Sequence, residues 1–154
     1  MTLTAHTAAG IFIGKYASNP FLAFLFGFLS HFLFDAIPHI DAGIFIEKYL
    51  YYAASVDIFL SAIFIFCFFR FTRPTHPLKI YWAILGSAMP DIFTFFYSEL
   101  HFKFLKCFYD FHMIVHCPVK INNPVFWGAM QIIFLVCLIF ILFKKKTSQK
   151  LVKL

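Results

Sequence analysis

The apolar residues of this chain fall in long runs separated by short polar breaks, a pattern of buried or membrane-sized helices. Thr4 to Tyr16 is short and mostly apolar. Ser18-Asn19-Pro20 ends it, with Pro20 placed to open the next helix. About a dozen residues are too few to cross a hydrocarbon layer of ~30 Å, so this piece reads as a re-entrant or interfacial helix. Phe21 to Asp35 follows as a second apolar helix, and Leu50 to Phe71 is long enough to span. Ile80 to Tyr97 is interrupted by Gly86-Ser87-Ala88-Met89-Pro90-Asp91, where the proline should break or kink the helix and leave Asp91 at the start of the continuing turn. Beyond it, Glu99, Lys103, Lys106 and Asp110 form one polar stripe, with Leu100, Phe104, Phe108 and Phe111 away from it. That spacing predicts an amphipathic helix on the membrane surface over 99–116. Pro124 to Phe143 is a last spanning helix. The expected fold is all-α: a polytopic membrane bundle of about four spanning helices, with the short N-terminal helix and the amphipathic helix added to them.

Composition supports a lipid environment. The chain has 154 residues, of which 62% are hydrophobic and 25 are phenylalanine, against about 45–50% apolar in soluble domains. One membrane-embedded domain, 1–143, leaves a basic tail, 144–154, in which Lys144, Lys145, Lys146, Lys150 and Lys153 follow directly on an apolar run. That is a stop-transfer signal and predicts a cytoplasmic tail against membrane lipid. The net charge of +6 is spread out and tail-weighted, so no nucleic-acid partner is expected. Cys67, Cys107, Cys117 and Cys137 are scattered without a C-x-x-C pair, which supports neither a disulfide framework nor a thiolate zinc site. The opening residues lack a positive n-region, so no cleavable signal peptide is expected.

The candidate chemistry gathers at the end of the second apolar run. His31 and Asp35 are four residues apart and share a helix face, and Pro38 should turn the chain so that His39 and Asp41 close over the same centre. Polar groups at membrane depth are expensive unless paired or metal-bound. Imidazole with carboxylate suits zinc first, with manganese or iron as alternatives. His112 and His116 are again four apart and lie off the polar stripe, so they face protein or lipid and want a partner. Asp57, inside an apolar run, reads as a supporting group more than a ligand. If the helices alternate across the bilayer, His31, Asp35, His39, Asp41, His112 and His116 share one membrane face, with Asp91 within reach. His6 joins them only if the first helix is re-entrant. His76 falls on the opposite side.

Four pieces, Thr4-Ala5-His6-Thr7-Ala8-Ala9-Gly10, Ser30-His31-Phe32-Leu33-Phe34-Asp35-Ala36-Ile37-Pro38-His39-Ile40-Asp41, Met89-Pro90-Asp91 and His112-x-x-x-His116, resemble the YdjM-like family of small membrane-bound metal-dependent hydrolases. The resemblance implies His6, His31, Asp35, Asp91, His112 and His116 as metal-site residues, with His39 and Asp41 beside them, in a bacterial inner membrane. The family's paired-histidine element tends to carry arginine, threonine and serine where this chain has Met113, Val115 and Cys117. The resulting expectation is a metal-dependent hydrolase acting on a phosphoester or other ester, lipid-linked substrates included. Asp41 or Asp91 would serve as general base. The alternative is a non-catalytic membrane protein whose His/Asp cluster holds a structural metal.

Overall fold

The computed structural model describes residues 1–37, 39, 47–116 and 124–143. Every regular element among them is helical: α1 (Leu3–Tyr16), α2 (Pro20–Asp35), α3 (Glu47–Thr72), α4 (Pro77–Ser98), a single 3-10 turn at Lys103–Leu105, α5 (Lys106–Val115) and α6 (Pro124–Phe143). The Pro38 turn, Asp41, Cys117 and the basic tail lie outside the described residues.

Local chemistry sets the helix boundaries. Pro20 occupies the first turn of α2, and the Asn19 side chain accepts from the Leu22 N–H at 2.9 Å, as a helix start requires. The helix stops at Asp35, with Ala36 and Ile37 still bonded back to Phe32 O and Phe34 O. Pro38 comes next in sequence and disfavours helix in the residue before it.

α1 is held at both ends by other helices. Its N-cap, Thr2, makes no side-chain cap bond. Asp57 of α3 takes that place, accepting from the Leu3 N–H at 2.5 Å, the Thr4 N–H at 3.1 Å and the Thr4 hydroxyl at 2.5 Å. At the far end, Lys79 Nζ donates to the Ala17 carbonyl at 2.7 Å. A carboxylate at the N-terminus and an ammonium at the C-terminus both complement the helix dipole. Asp57 therefore has the supporting role expected of it, and Thr4 binds Asp57 and Ser61 without capping its own helix.

α4 lies at the centre, packed against α1, α2 and α5, while α3 and α6 lie mainly against α1. Ile11, Phe68, Ile80 and Leu142 close the core where α1, α3, α4 and α6 meet. The contacts with α4 are close because small residues line them. A Cβ on Gly27 would run into the Ala83 carbonyl, one on Gly86 into the Phe24 carbonyl, and one on Gly14 into the Ile80 backbone. Such small-residue seams let helix backbones approach when lipid removes the hydrophobic drive between helices.

Two expectations are corrected. α4 runs unbroken through Pro90, which is buried inside it, so of the expected break or kink the break does not occur, and Asp91 lies within the helix. Tertiary packing on both sides holds the turn that proline weakens. The segment 99–116 is not one amphipathic helix: only α5 is α-helical, and His101 sits at a positive φ of 58°. Of the predicted polar stripe, Lys106 and Asp110 pair at 2.6 Å on the exposed side, while Glu99 accepts from the Tyr51 hydroxyl.

Among the described residues, one stretch, Tyr51–Thr72 of α3, is long and apolar enough to cross a membrane; Pro20–Asp35 and Gly128–Phe143 are apolar but shorter. Phe21, Leu33, Phe59, Phe66, Ile132 and Phe140 are exposed. Large apolar surfaces of this kind are normally covered by lipid or a partner.

The glycine seam gives a direct test. Gly27→Ala and Gly86→Ala should each destabilise the protein by about 1–3 kcal/mol through overpacking against backbone. The loss would be read as a lower thermal midpoint in detergent. An unchanged midpoint in both variants would contradict the backbone contact.

Candidate metal centre

Four segments deliver side chains to one spot. α2 brings His31 and Asp35 on one face, as their spacing predicts, and α1 brings His6. α4 brings Asp91, while α5 and its C-cap residue bring His112 and His116. His39, just past α2, returns to the same carboxylate. All seven described residues expected at the site are therefore together. Asp41 lies outside the described residues, and His76 belongs to a separate cavity of about 610 Å³ lined also by Lys15, Phe68 and Leu142.

The centre of the arrangement is a triangle of donor atoms. His31 Nε2 lies 3.0 Å from Asp35 Oδ2 and 3.1 Å from His112 Nε2, and His112 Nε2 lies 3.3 Å from Asp35 Oδ2. Asp91 Oδ1 is 3.6 Å from His31 Nε2, on the more open side. Donors around a tetrahedral ion at about 2.0–2.1 Å are roughly 3.3 Å apart. The triangle has the dimensions of one face of such a tetrahedron. A second group shares Asp35: His116 Nε2 is 3.5 Å from Oδ2, and His39 Nε2 is 3.9 Å from Oδ1.

The other nitrogen of each ring fixes its tautomer. His31 Nδ1 donates to the Ser87 carbonyl at 2.8 Å, and His39 Nδ1 donates to the Ile37 carbonyl at 2.6 Å. A carbonyl can only accept. Thr94 donates its hydroxyl proton to the Pro90 carbonyl at 3.0 Å, so its oxygen accepts from His112 Nδ1 at 2.6 Å. All three imidazoles, when neutral, therefore present an unprotonated Nε2 toward Asp35. This is the usual outer arrangement of a metal-binding histidine.

Two nitrogen lone pairs facing each other at 3.1 Å beside a carboxylate repel unless a cation lies between them. The geometry calls for a proton or a metal ion. Burial sharpens the requirement, since the side chains of His6, His31, Asp35 and His112 are at most 3% exposed, whereas Asp91 is 41% exposed and His116 19%. In the second group the positive charge is the α-ammonium of Met1, 2.6 Å from Asp35 Oδ1 and 2.5 Å from His39 Nε2. Burial first, and then that ammonium, pushes His39 below the ordinary histidine range, which keeps its Nε2 free to accept.

Thr94 and the Ser87 carbonyl are site components that the sequence did not point to. Thr94 lies three residues after Asp91 on the same helix, so its spacing would have placed it on that face. No protein-family profile matches the chain, and no curated protein or solved structure does either.

Two substitutions separate ligand from support. Asp35→Asn, which keeps the shape and removes the charge, should weaken divalent-metal binding by more than about a hundredfold. Thr94→Val should weaken it by the roughly 10–100-fold of a lost outer partner. Isothermal titration with the metal reads both, and equal, small effects would contradict the assignment.

Proposed function

We propose that the chain is a membrane-bound metal-dependent hydrolase of the YdjM-like kind, acting on a phosphoester or other ester, with lipid-linked esters the favoured class. The triangle formed by His31 Nε2, Asp35 Oδ2 and His112 Nε2 carries this reading. Three protein ligands with an open fourth position is the pattern of catalytic sites, whereas structural sites are closed by four. Asp91 converges on the same spot as a fourth donor; taken as proton acceptor, it leaves the fourth position to water. A divalent ion held there, with zinc the first candidate, would lower the pKa of bound water toward about 7 and polarise the ester oxygen.

The remaining residues supply position and proton transfer. Ser87, Thr94 and Ile37 hold three rings by their Nδ1–H groups. Asp91, the most exposed carboxylate at the centre, stands where a substrate would enter and is assigned the proton acceptor. The location supports the substrate class. Phe32 and Phe108 pack around His112 within an aromatic cluster, so a substrate approaching Asp91 meets apolar rings beside the polar centre.

The same reading assigns α2, α4 and α6 to the bilayer beside α3, in a bacterial inner membrane with the tail cytoplasmic. Its support is the apolar outer surface of these helices and the lysines after Phe143. One observation favours the structural-metal alternative: most of the donors are buried, and Met113 and Val115 stand where an arginine and a threonine would serve an oxyanion.

Elemental analysis of the protein purified in detergent, combined with a chromogenic phosphodiester assay, separates the two. The hydrolase reading expects a divalent ion that His112→Ala loses. It also expects turnover that a chelator abolishes, and an Asp91→Asn variant that keeps the ion while losing about 10²–10⁴ in rate. Stoichiometric metal without turnover on any ester would leave the structural role. Absence of metal would refute both.

A further inference from the structure

His6 differs from the other three histidines whose ring bonds are defined. Its ring is fully buried, and its Nδ1 has no hydrogen-bond partner among the described residues. Its Nε2 faces Asp35 Oδ1 at 3.0 Å. A neutral imidazole carries one proton, and the two placements differ in energy. With the proton on Nδ1, a buried donor would be orphaned and the Nε2 lone pair would face a carboxylate lone pair. With the proton on Nε2, the ring donates to Asp35 and only an acceptor is left without a partner. Orphaned buried donors are the rarer and costlier case.

His6 thus has the opposite tautomer from His31, His39 and His112. A ligand at Nε2 would need the Nδ1–H outcome, with nothing to receive that proton. A ligand at Nδ1 would need companions on that side, and His6 belongs to neither group of converging donor atoms. Its ring instead lies flat on His31, with centroids 4.0 Å apart and planes 18° from parallel. From that position it sets the plane of His31 and occupies one lone pair of Asp35 Oδ1, which turns Oδ2 toward His31 and His112.

We infer that His6 is a positioning residue and not a metal ligand: it donates Nε2–H to Asp35 and stacks on His31, orienting two ligands without touching the ion. The inference rests on the metal-centre reading above, and it departs from what the resemblance implied for this residue.

Cobalt(II) tests it, because its visible absorption reports the number and type of ligands whether or not the protein turns over. The full-length protein in detergent would be titrated as wild type, His6→Gln, His6→Ala and His112→Ala. Glutamine places an amide N–H near the position of Nε2 and has no imidazole lone pair. The expected result is the wild-type band shape in His6→Gln, with affinity restored relative to His6→Ala, which keeps the band but binds about 10–100-fold more weakly. His112→Ala should change the band or lose the ion. A His6→Gln spectrum altered in the manner of His112→Ala would overturn the inference and leave the metal centre standing. No cobalt bound by wild type would overturn the centre and this inference with it. Where His6→Ala fails to fold, the His6→Gln spectrum alone decides.

Discussion

A buried carboxylate ringed by histidine nitrogens organises this molecule. Asp35 is enclosed by His6, His31, His39, His112 and His116, each within 4 Å of one of its oxygens. An isolated ion in such surroundings would cost several kcal/mol even after relaxation. The cost is met only by donors and cations arranged around both oxygens. Oδ1 receives His6 and the Met1 ammonium, and Oδ2 faces His31 and His112. Removing α1 or α5 from the bundle would leave part of this charge uncompensated. The polar centre and the helix packing are therefore one constraint seen from two sides.

The packing supplies the tolerance that the centre needs. Donor atoms must converge within tenths of an ångström, and side chains on separate helices do so only if the helices are fixed. The glycine contacts of α2 and α1 with α4 fix them at backbone distance. Asp57 and Lys79 then hold the two ends of α1 against α3 and α4. A bundle spaced by larger side chains would put His6 and the Ser87 carbonyl out of reach of α2.

The sequence made part of this legible. The four-residue spacing of His31 and Asp35 told of a shared face, and the off-stripe position of His112 told of burial, because both follow from helix periodicity alone. α6 likewise runs from Pro124 to Phe143 as its apolar run predicts. What failed was local grammar overridden by neighbours. Pro90 reads as a break, yet α4 continues because packing holds it, and the stripe from Glu99 to Asp110 is not one helix because Glu99 and His101 lie in the turn before α5. The tautomers of His31, His39 and His112 were out of reach in principle. Each depends on a particular oxygen whose position only the tertiary fold decides.

The distribution of exposure bears on what the centre is for. A cluster meant only to tie helices together gains most by closing every donor off from its surroundings, since each exposed carboxylate weakens the field it helps to make. Here the triangle is closed, but the group at its edge, Asp91, is left accessible, and His116 is partly so. Asp91 stands 3.6 Å from His31 Nε2, on a helix turn already weakened by the preceding proline. Asp91 is thus close to the centre, open to the outside and not needed to complete the triangle, which is the placement that the proposed role of proton acceptor requires. That asymmetry, more than the number of histidines, is what supports the proposed hydrolase over a purely structural centre.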